Sequence, residues 1–244
     1  RKWVMRKTAP LWEWVDLLGS TKPNYISIWN YQKSRLEQIA EGSAPEAVIL
    51  CEHELVATLG RRAKADNIID SSVPQIEIER GGDVTLHQPG QLVIYPLLKL
   101  HGSIFPGGLH EYLRFCEEVV IQTLSSFRLA AGRWGPTGVW VKVSDGSTRK
   151  IASIGVAVRK WITYHGIALN IQNDLQEFSK IRPCDFDSSV MTSMKALGLS
   201  VTVDEVAHRF QEIFSKTLEG VSERQLSLLA SVENRSLLES AVEC

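Results

Sequence analysis

No stretch of this sequence approaches the roughly twenty apolar residues that a helix needs to cross a bilayer. No charged-then-apolar signal pattern opens it at Arg1, so neither insertion nor export is expected, and a cytoplasmic location is. An excess of either charge is lacking as well: 27 basic against 28 acidic residues leave a net charge of -1. Such a chain has no field for steering polyanions, which argues against nucleic acid as a partner, as the short apolar runs argue against a membrane. Cysteine is scarce and scattered. The four, at positions 51, 116, 184 and 244, include no Cys-x-x-Cys pair, which disfavours a disulfide framework and a structural zinc site. Internal repeats, low-complexity stretches and long linkers are also missing. The 244 residues, 44% hydrophobic, are therefore expected to form one large domain, with a core over about 11–219 and an extension of unassigned role over 220–244.

Around one polar stretch the patterns are clear. Ile76 and Ile78 alternate with Gln75, Glu77 and Glu79, which predicts a half-buried strand, and the continuous apolar run Leu92 to Tyr95 predicts a buried one. Between them Arg80 to Gln91 is dense in glycine and polar groups and reads as a loop on a rigid floor. Gly81 and Gly82 allow positive φ and let backbone N–H groups approach a ligand closely. Arg80, Thr85, His87 and Gln91 add polar contacts suited to a carbonyl or carboxylate. The same composition also fits an ordinary long hairpin connection.

The rest of the chain reads as strands joined by short links, with helices beside them. Leu11 to Leu18 predicts a first strand, and Tyr25, Trp29, Leu36 and Ile39 one face of a helix that Gly42 stops. Ala47 to Cys51 is a buried strand, leading into a polar loop over Glu52 to Arg61. A longer helix carries Leu109, Leu113, Cys116, Val120 and Phe127 at helical spacing. Val139, Val141 and Val143 form a strand that turns at Ser144 to Ser147, and the returning strand carries Lys150, Ile154, Val156 and Val158. Ile167, Leu169 and Ile171 mark another strand. Thr202 to Glu205 is a capping box before a helix with Val206, Phe210, Ile213 and Phe214 inward. Mostly antiparallel strands flanked by helices describe an α+β domain.

Chemistry concentrates at a few positions. Cys51 and Cys116 lie on apolar patterns and read as core. Cys184 follows Pro183 in a segment with no periodicity, which puts a thiol in a loop. A thiol reacts as its thiolate, which a nearby ammonium stabilises, and Lys150, at the start of a strand, is one candidate partner. A solvated lysine at a turn fits the pattern too, and so does a Cys/His pair with His87 or His165. Periodicity leaves these open.

The segment Arg80-Gly81-Gly82-Asp83-Val84-Thr85-Leu86-His87-Gln88-Pro89-Gly90-Gln91 resembles the signature of lipoyl(octanoyl) transferases. Three further segments match that family in the same order. They are Leu50 to His53 with Thr58 to Gly60, then Lys150 to Gly155 running on to His165 to Asn170, and finally Pro183-Cys184. The resemblance spans roughly residues 47 to 195. It implies the fold of the lipoate and biotin protein ligase catalytic domain, with no cofactor and no metal. The implied reaction moves an octanoyl group from octanoyl acyl carrier protein to a lysine of lipoyl domains, those of 2-oxoacid dehydrogenases or the glycine cleavage H protein. Cys184 matches the acyl-thioester nucleophile and Lys150 the lysine that lowers its pKa and shuttles protons. Arg80, Gly81, Gly82, Asp83, Val84, Thr85, Leu86 and His87 match segments lining the acyl substrate, as do Ser153, Ile154, Gly155, Gly166, Ile167 and Ala168. The sequence departs from the family at Leu86, where Tyr is usual, and at Gln88 and Asp185, where Gly is usual. A carboxylate at 185 opposes Lys150 by raising the thiol's pKa. Two other readings stand beside this one: an ATP-dependent lipoate or biotin ligase on the same fold, and a non-catalytic acyl- or lipoyl-domain-binding relative.

Overall fold

The computed structural model describes residues 11–19, 21–182 and 187–221. Ten strands and three long helices follow in chain order: β1 (Trp12–Asp16), α1 (Tyr25–Glu41), β2 (Glu46–Cys51), β3 (Val56–Leu59), β4 (Gln75–Glu77), β5 (Val84–His87), β6 (Gln91–Leu97), α2 (Leu109–Ser126), β7 (Ala131–Gly132), β8 (Gly138–Lys142), β9 (Thr148–Arg159), β10 (Ile162–Asn170) and α3 (Val203–Glu219). A seven-stranded sheet runs β1-β2-β6-β10-β9-β8-β7, and a three-stranded one runs β4-β3-β5. Pairing is antiparallel except between β1 and β2 and between β3 and β4. The fold is α+β, a mixed and mostly antiparallel sheet with helices on both faces. Among the described residues no helix is long and apolar enough to cross a membrane.

The alternation along β2 and β6 decides what each face meets. Val48, Leu50, Leu92 and Ile94 turn toward α2 and α3, where Phe115, Cys116, Val120, Phe210 and Phe214 close one core. Their sequence neighbours Ile49, Cys51, Val93 and Tyr95 turn the other way, onto Ile28, Leu36 and Ile39 of α1. Burial on both faces is why these strands read as unbroken apolar runs. Full burial of a side chain such as Phe214 contributes about 1.5–3 kcal/mol. The helix ends are built as their sequences indicate. Gly42 takes φ 72° and closes α1. At the start of α3, Thr202 Oγ1 accepts from Glu205 N at 3.2 Å while Glu205 Oε2 accepts from Thr202 N at 2.7 Å.

Two expected loops are partly strand. Val56–Leu59, expected within a polar loop, forms β3, and Val84–His87, expected within the Arg80 to Gln91 loop, forms β5 paired against it. β5 has strand alternation, Thr85 and His87 on one side and Val84 and Leu86 on the other, but glycines before it and Pro89 after it dominate the local pattern. Gly81 and Gly82 are also less open than two adjacent glycines suggest. Gly82 does take φ 85°. The Gly81 N–H, however, donates to Val156 O on β9 at 2.9 Å, and Arg61 N and Arg62 N donate to the carbonyls of Arg80 and Gly82. The stretch is clamped between β9 and the turn after β3, and the Gly81 amide is committed to the fold rather than to a ligand.

Candidate active site

The clamp places Arg80 to Asp83 along one side of a cavity of about 520 Å3, also lined by half-buried residues of β9 and buried ones of β10. Lys150, Arg80 to Thr85, His87, Ser153 to Gly155 and Gly166 to Ala168 all line it. Segments separated by up to 88 positions in the chain therefore meet at one place. Leu86 alone of the Arg80 to His87 stretch does not line the cavity: it is fully buried in a cluster with Phe178 and Ile181, whose members Val84 and Met191 do reach the cavity. The strand period turns it away from the cavity as it turns Thr85 and His87 toward it. Cys184, its neighbour Asp185 and the tail from 222 lie outside the described residues. The described residues after them do not: Val190 and Met191 line the cavity, and Thr192 N donates to Lys150 O at 2.9 Å.

Several ionic side chains of the site hold the fold. The Arg80 guanidinium donates to Thr58 O at 2.7 Å, Thr58 Oγ1 at 3.1 Å and Gly81 O at 3.0 Å. Asp83 accepts from its own neighbour Val84 N at 2.7 Å and from the Asn67 amide. Lys150 is placed by β8. A bulge at Val139/Trp140 breaks the register opposite it, and its ammonium lies 5.5 Å from the centre of the Trp140 ring. Bulges of this kind re-aim side chains. The start of β8 is tied down from beneath, where Gly138 N donates at 3.0 Å to Glu117, a buried carboxylate that also takes Arg114 and Arg133.

Beneath the Arg80 side lie three buried imidazoles. Burial, reinforced by the neighbouring His53, pushes His87 down to about 3, and burial alone takes His53 to about 4. His165 falls to about 4 through burial and the Arg80 guanidinium. His53 Nδ1 faces the Pro23 carbonyl at 3.2 Å, which can only accept, so Nε2 takes the Tyr95 hydroxyl at 2.9 Å. His53 is thus a satisfied structural histidine. Tyr25 stacks on His87 with centroids 5.6 Å apart, and its hydroxyl lies 3.4 Å from His165 Nδ1. Tyr25, Tyr95, Leu109 and Leu113 line the cavity without having been singled out as site residues. The helical stripe reads Leu109 as core, yet it is 44% exposed at the rim; its position right after Gly107 and Gly108, in the first turn, was the available signal.

Comparison with known proteins gives the family. Residues 24–215 match the family model of the lipoyl protein ligase A/B catalytic domain. The chain belongs to that family. An octanoyltransferase of Pelobacter propionicus is 40% identical over 203 residues, covering 80% of this chain and 93% of that protein. One from Geobacter sulfurreducens is 44% identical over 193 residues, covering 78% of each. Among solved structures, a bipartite lipoate protein ligase from Thermoplasma acidophilum superimposes with a TM-score of 0.63 at 18% identity, covering 90% of this chain and 89% of that one. This likeness shows the fold. Within the lipoyl protein ligase A/B family, relatives of this closeness make the chain an acyltransferase.

Proposed function

We propose that the chain transfers an octanoyl group from octanoyl acyl carrier protein to a lysine of apo lipoyl domains, in 2-oxoacid dehydrogenases or the glycine cleavage H protein. The group rests in between as a thioester on Cys184. The observation that carries the reading is that one largely apolar cavity has Lys150 on its wall and is also lined by Val190 and Met191, six and seven positions after Cys184. Lys150 holds part of the Cys184 thiolate population, and the thiolate attacks the donor thioester. The carbonyl carbon gains the Cys184 sulfur and loses the carrier's, which departs as a thiolate and takes up a proton. The acceptor amine then forms the amide bond, Cys184 leaves with the electron pair of the broken C–S bond, and the amine's proton returns to it through Lys150. The imidazoles at about 3 and 4 are weak bases, which favours Lys150 over His87 or His165 in that role. Asp185 tempers the effect of Lys150 on the thiol.

The test is incubation with octanoyl acyl carrier protein alone, followed by intact-protein mass spectrometry. One octanoyl addition, mapped to Cys184 and discharged by an apo lipoyl domain without ATP, is expected, with ping-pong kinetics when both substrates are present. Strict ATP dependence would assign ligase chemistry instead, and binding without turnover a non-catalytic role. Sequential kinetics without a trapped adduct would mean direct transfer in a ternary complex.

A further inference from the structure

We propose that His87 receives the attacking amine of the acceptor lysine at its Nε2, and that Gln91 and Asn170 are positioning residues that fix the imidazole tautomer this requires. The inference rests on the two-step reading above and concerns its second step.

A chain of buried amides whose polarity is set at one end leads to His87. The Thr192 carbonyl can only accept, so the atom of Asn170 facing it at 2.9 Å is Nδ2, and Oδ1 of Asn170 points the other way. The Leu86 carbonyl, 3.1 Å from the Gln91 amide, fixes Gln91 in the same manner: Nε2 donates to it and, at 2.9 Å, to Asn170 Oδ1. Both Gln91 N–H groups are thereby used. What remains is Oε1, an acceptor, 2.9 Å from His87 Nδ1. His87 Nδ1 must therefore carry the proton and Nε2 the lone pair. Gln91 and Asn170 are each about 1% exposed, so water does not substitute for these partners.

The ring itself lines the cavity, and with Nδ1 turned inward to Gln91 its Nε2 is the nitrogen offered there. A neutral imidazole presenting a lone pair calls for a hydrogen-bond donor. Of the groups the substrates bring to the reaction, the hydrocarbon chain has none and the thioester has only acceptors; the acceptor lysine amine has N–H groups. One N–H held on His87 turns the nitrogen lone pair toward the carbonyl carbon. Burial that keeps His87 near 3 ensures that it orients the amine without retaining its proton, which passes to the Cys184 sulfur as the C–N bond forms and the C–S bond breaks.

The experiment separates Nε2 from Nδ1. An Asn amide overlays the Nδ1 side of an imidazole and a Gln amide the Nε2 side. Octanoyl-enzyme is prepared from wild type, His87→Asn and His87→Gln, and its discharge by an apo lipoyl domain is followed in single turnovers. Because His87 also lines the acyl cavity, acylation of each variant is measured separately, and discharge is compared only from acyl-enzyme already formed. His87→Asn should then discharge at least about tenfold more slowly, the loss expected for one hydrogen bond to the reacting group, while His87→Gln stays within about threefold. The reverse order would show that only the bond to Gln91 matters and would overturn the proposal, as would failure of both variants to acylate. At position 91, Gln91→Met removes the acceptor facing Nδ1 and should slow discharge more than acylation; an equal loss in both steps would remove Gln91 from the role. Absence of any adduct on wild-type Cys184 would instead sink the two-step reading.

Discussion

Lys150 occupies the space that a side chain at Gly138 would need. A Cβ built on Gly138 stands 2.7 Å from Lys150 Cε and 2.5 Å from the carbonyl oxygen of Ala152, and the backbone there has φ 130°. Gly138→Ala is therefore expected to cost about 1–3 kcal/mol in stability from the strained backbone. It should also slow transfer by about tenfold or more, because the ammonium is displaced by an ångström or so. Unfolding in urea and a transfer assay on the same preparation check both, and unchanged turnover would mean that the placement of Lys150 is immaterial.

Lys150 should also govern the reactivity of Cys184. Lys150→Ala is expected to move the rate of alkylation of Cys184 by a small reagent to higher pH. Lys150→Arg keeps the charge but is a poor proton carrier, so it should preserve more of the alkylation rate than of the turnover. Asp185→Gly should shift the profile to lower pH. A profile indifferent to Lys150→Ala would detach the lysine from the thiol.

Acid stability follows from the buried imidazoles. His53 and His87 fall from 6.5 to about 4 and about 3 in the folded chain. Below about 6.5 the unfolded chain binds protons that the folded chain refuses, so unfolding is favoured as pH drops. Their contribution to stability is complete above about 6.5 and declines through the window down to about 4 and 3, with a slope of up to about 1.4 kcal/mol per pH unit for each. Urea midpoints should be lower at pH 5 than at pH 7, and less so in His53→Phe. Equal midpoints would mean that both rings are protonated or solvated when folded.

Leu86 tests the boundary of the cavity. Leu86→Ala should destabilise by about 2–5 kcal/mol, because it empties a packed site, while leaving the acyl-chain preference alone. A changed preference at unchanged stability would return Leu86 to the acyl path.

Most of the architecture was legible because the strands and helices obey simple periods. Ile49 and Leu50 read as buried, and the two faces of the sheet account for both. The small sheet was harder. β3 and β5 are four residues each, and their signals are swamped by Glu52 to Glu54 on one side and by Gly81 and Gly82 on the other. The polar, glycine-bearing composition of Arg80 to His87 was legible, and all but Leu86 line the cavity, but direction was not legible. Whether the Gly81 amide faces a ligand or Val156, and whether Leu86 faces the cavity or Phe178, depends on segments 70 and more positions away. The amides of Gln91 and Asn170 were invisible as a pair, since nothing along the chain joins positions 79 apart.

The one-way polarity from Thr192 to His87 has a bearing on inheritance. A hydrogen-bond chain with its direction fixed at a backbone carbonyl cannot have one amide reversed without leaving two donors or two acceptors face to face in a dry interior. Positions 87, 91 and 170 should therefore vary together among relatives or stay as they are. A lineage that replaces Gln91 alone is expected to have altered His87 or abandoned it, so substitutions here should come as correlated sets rather than singly.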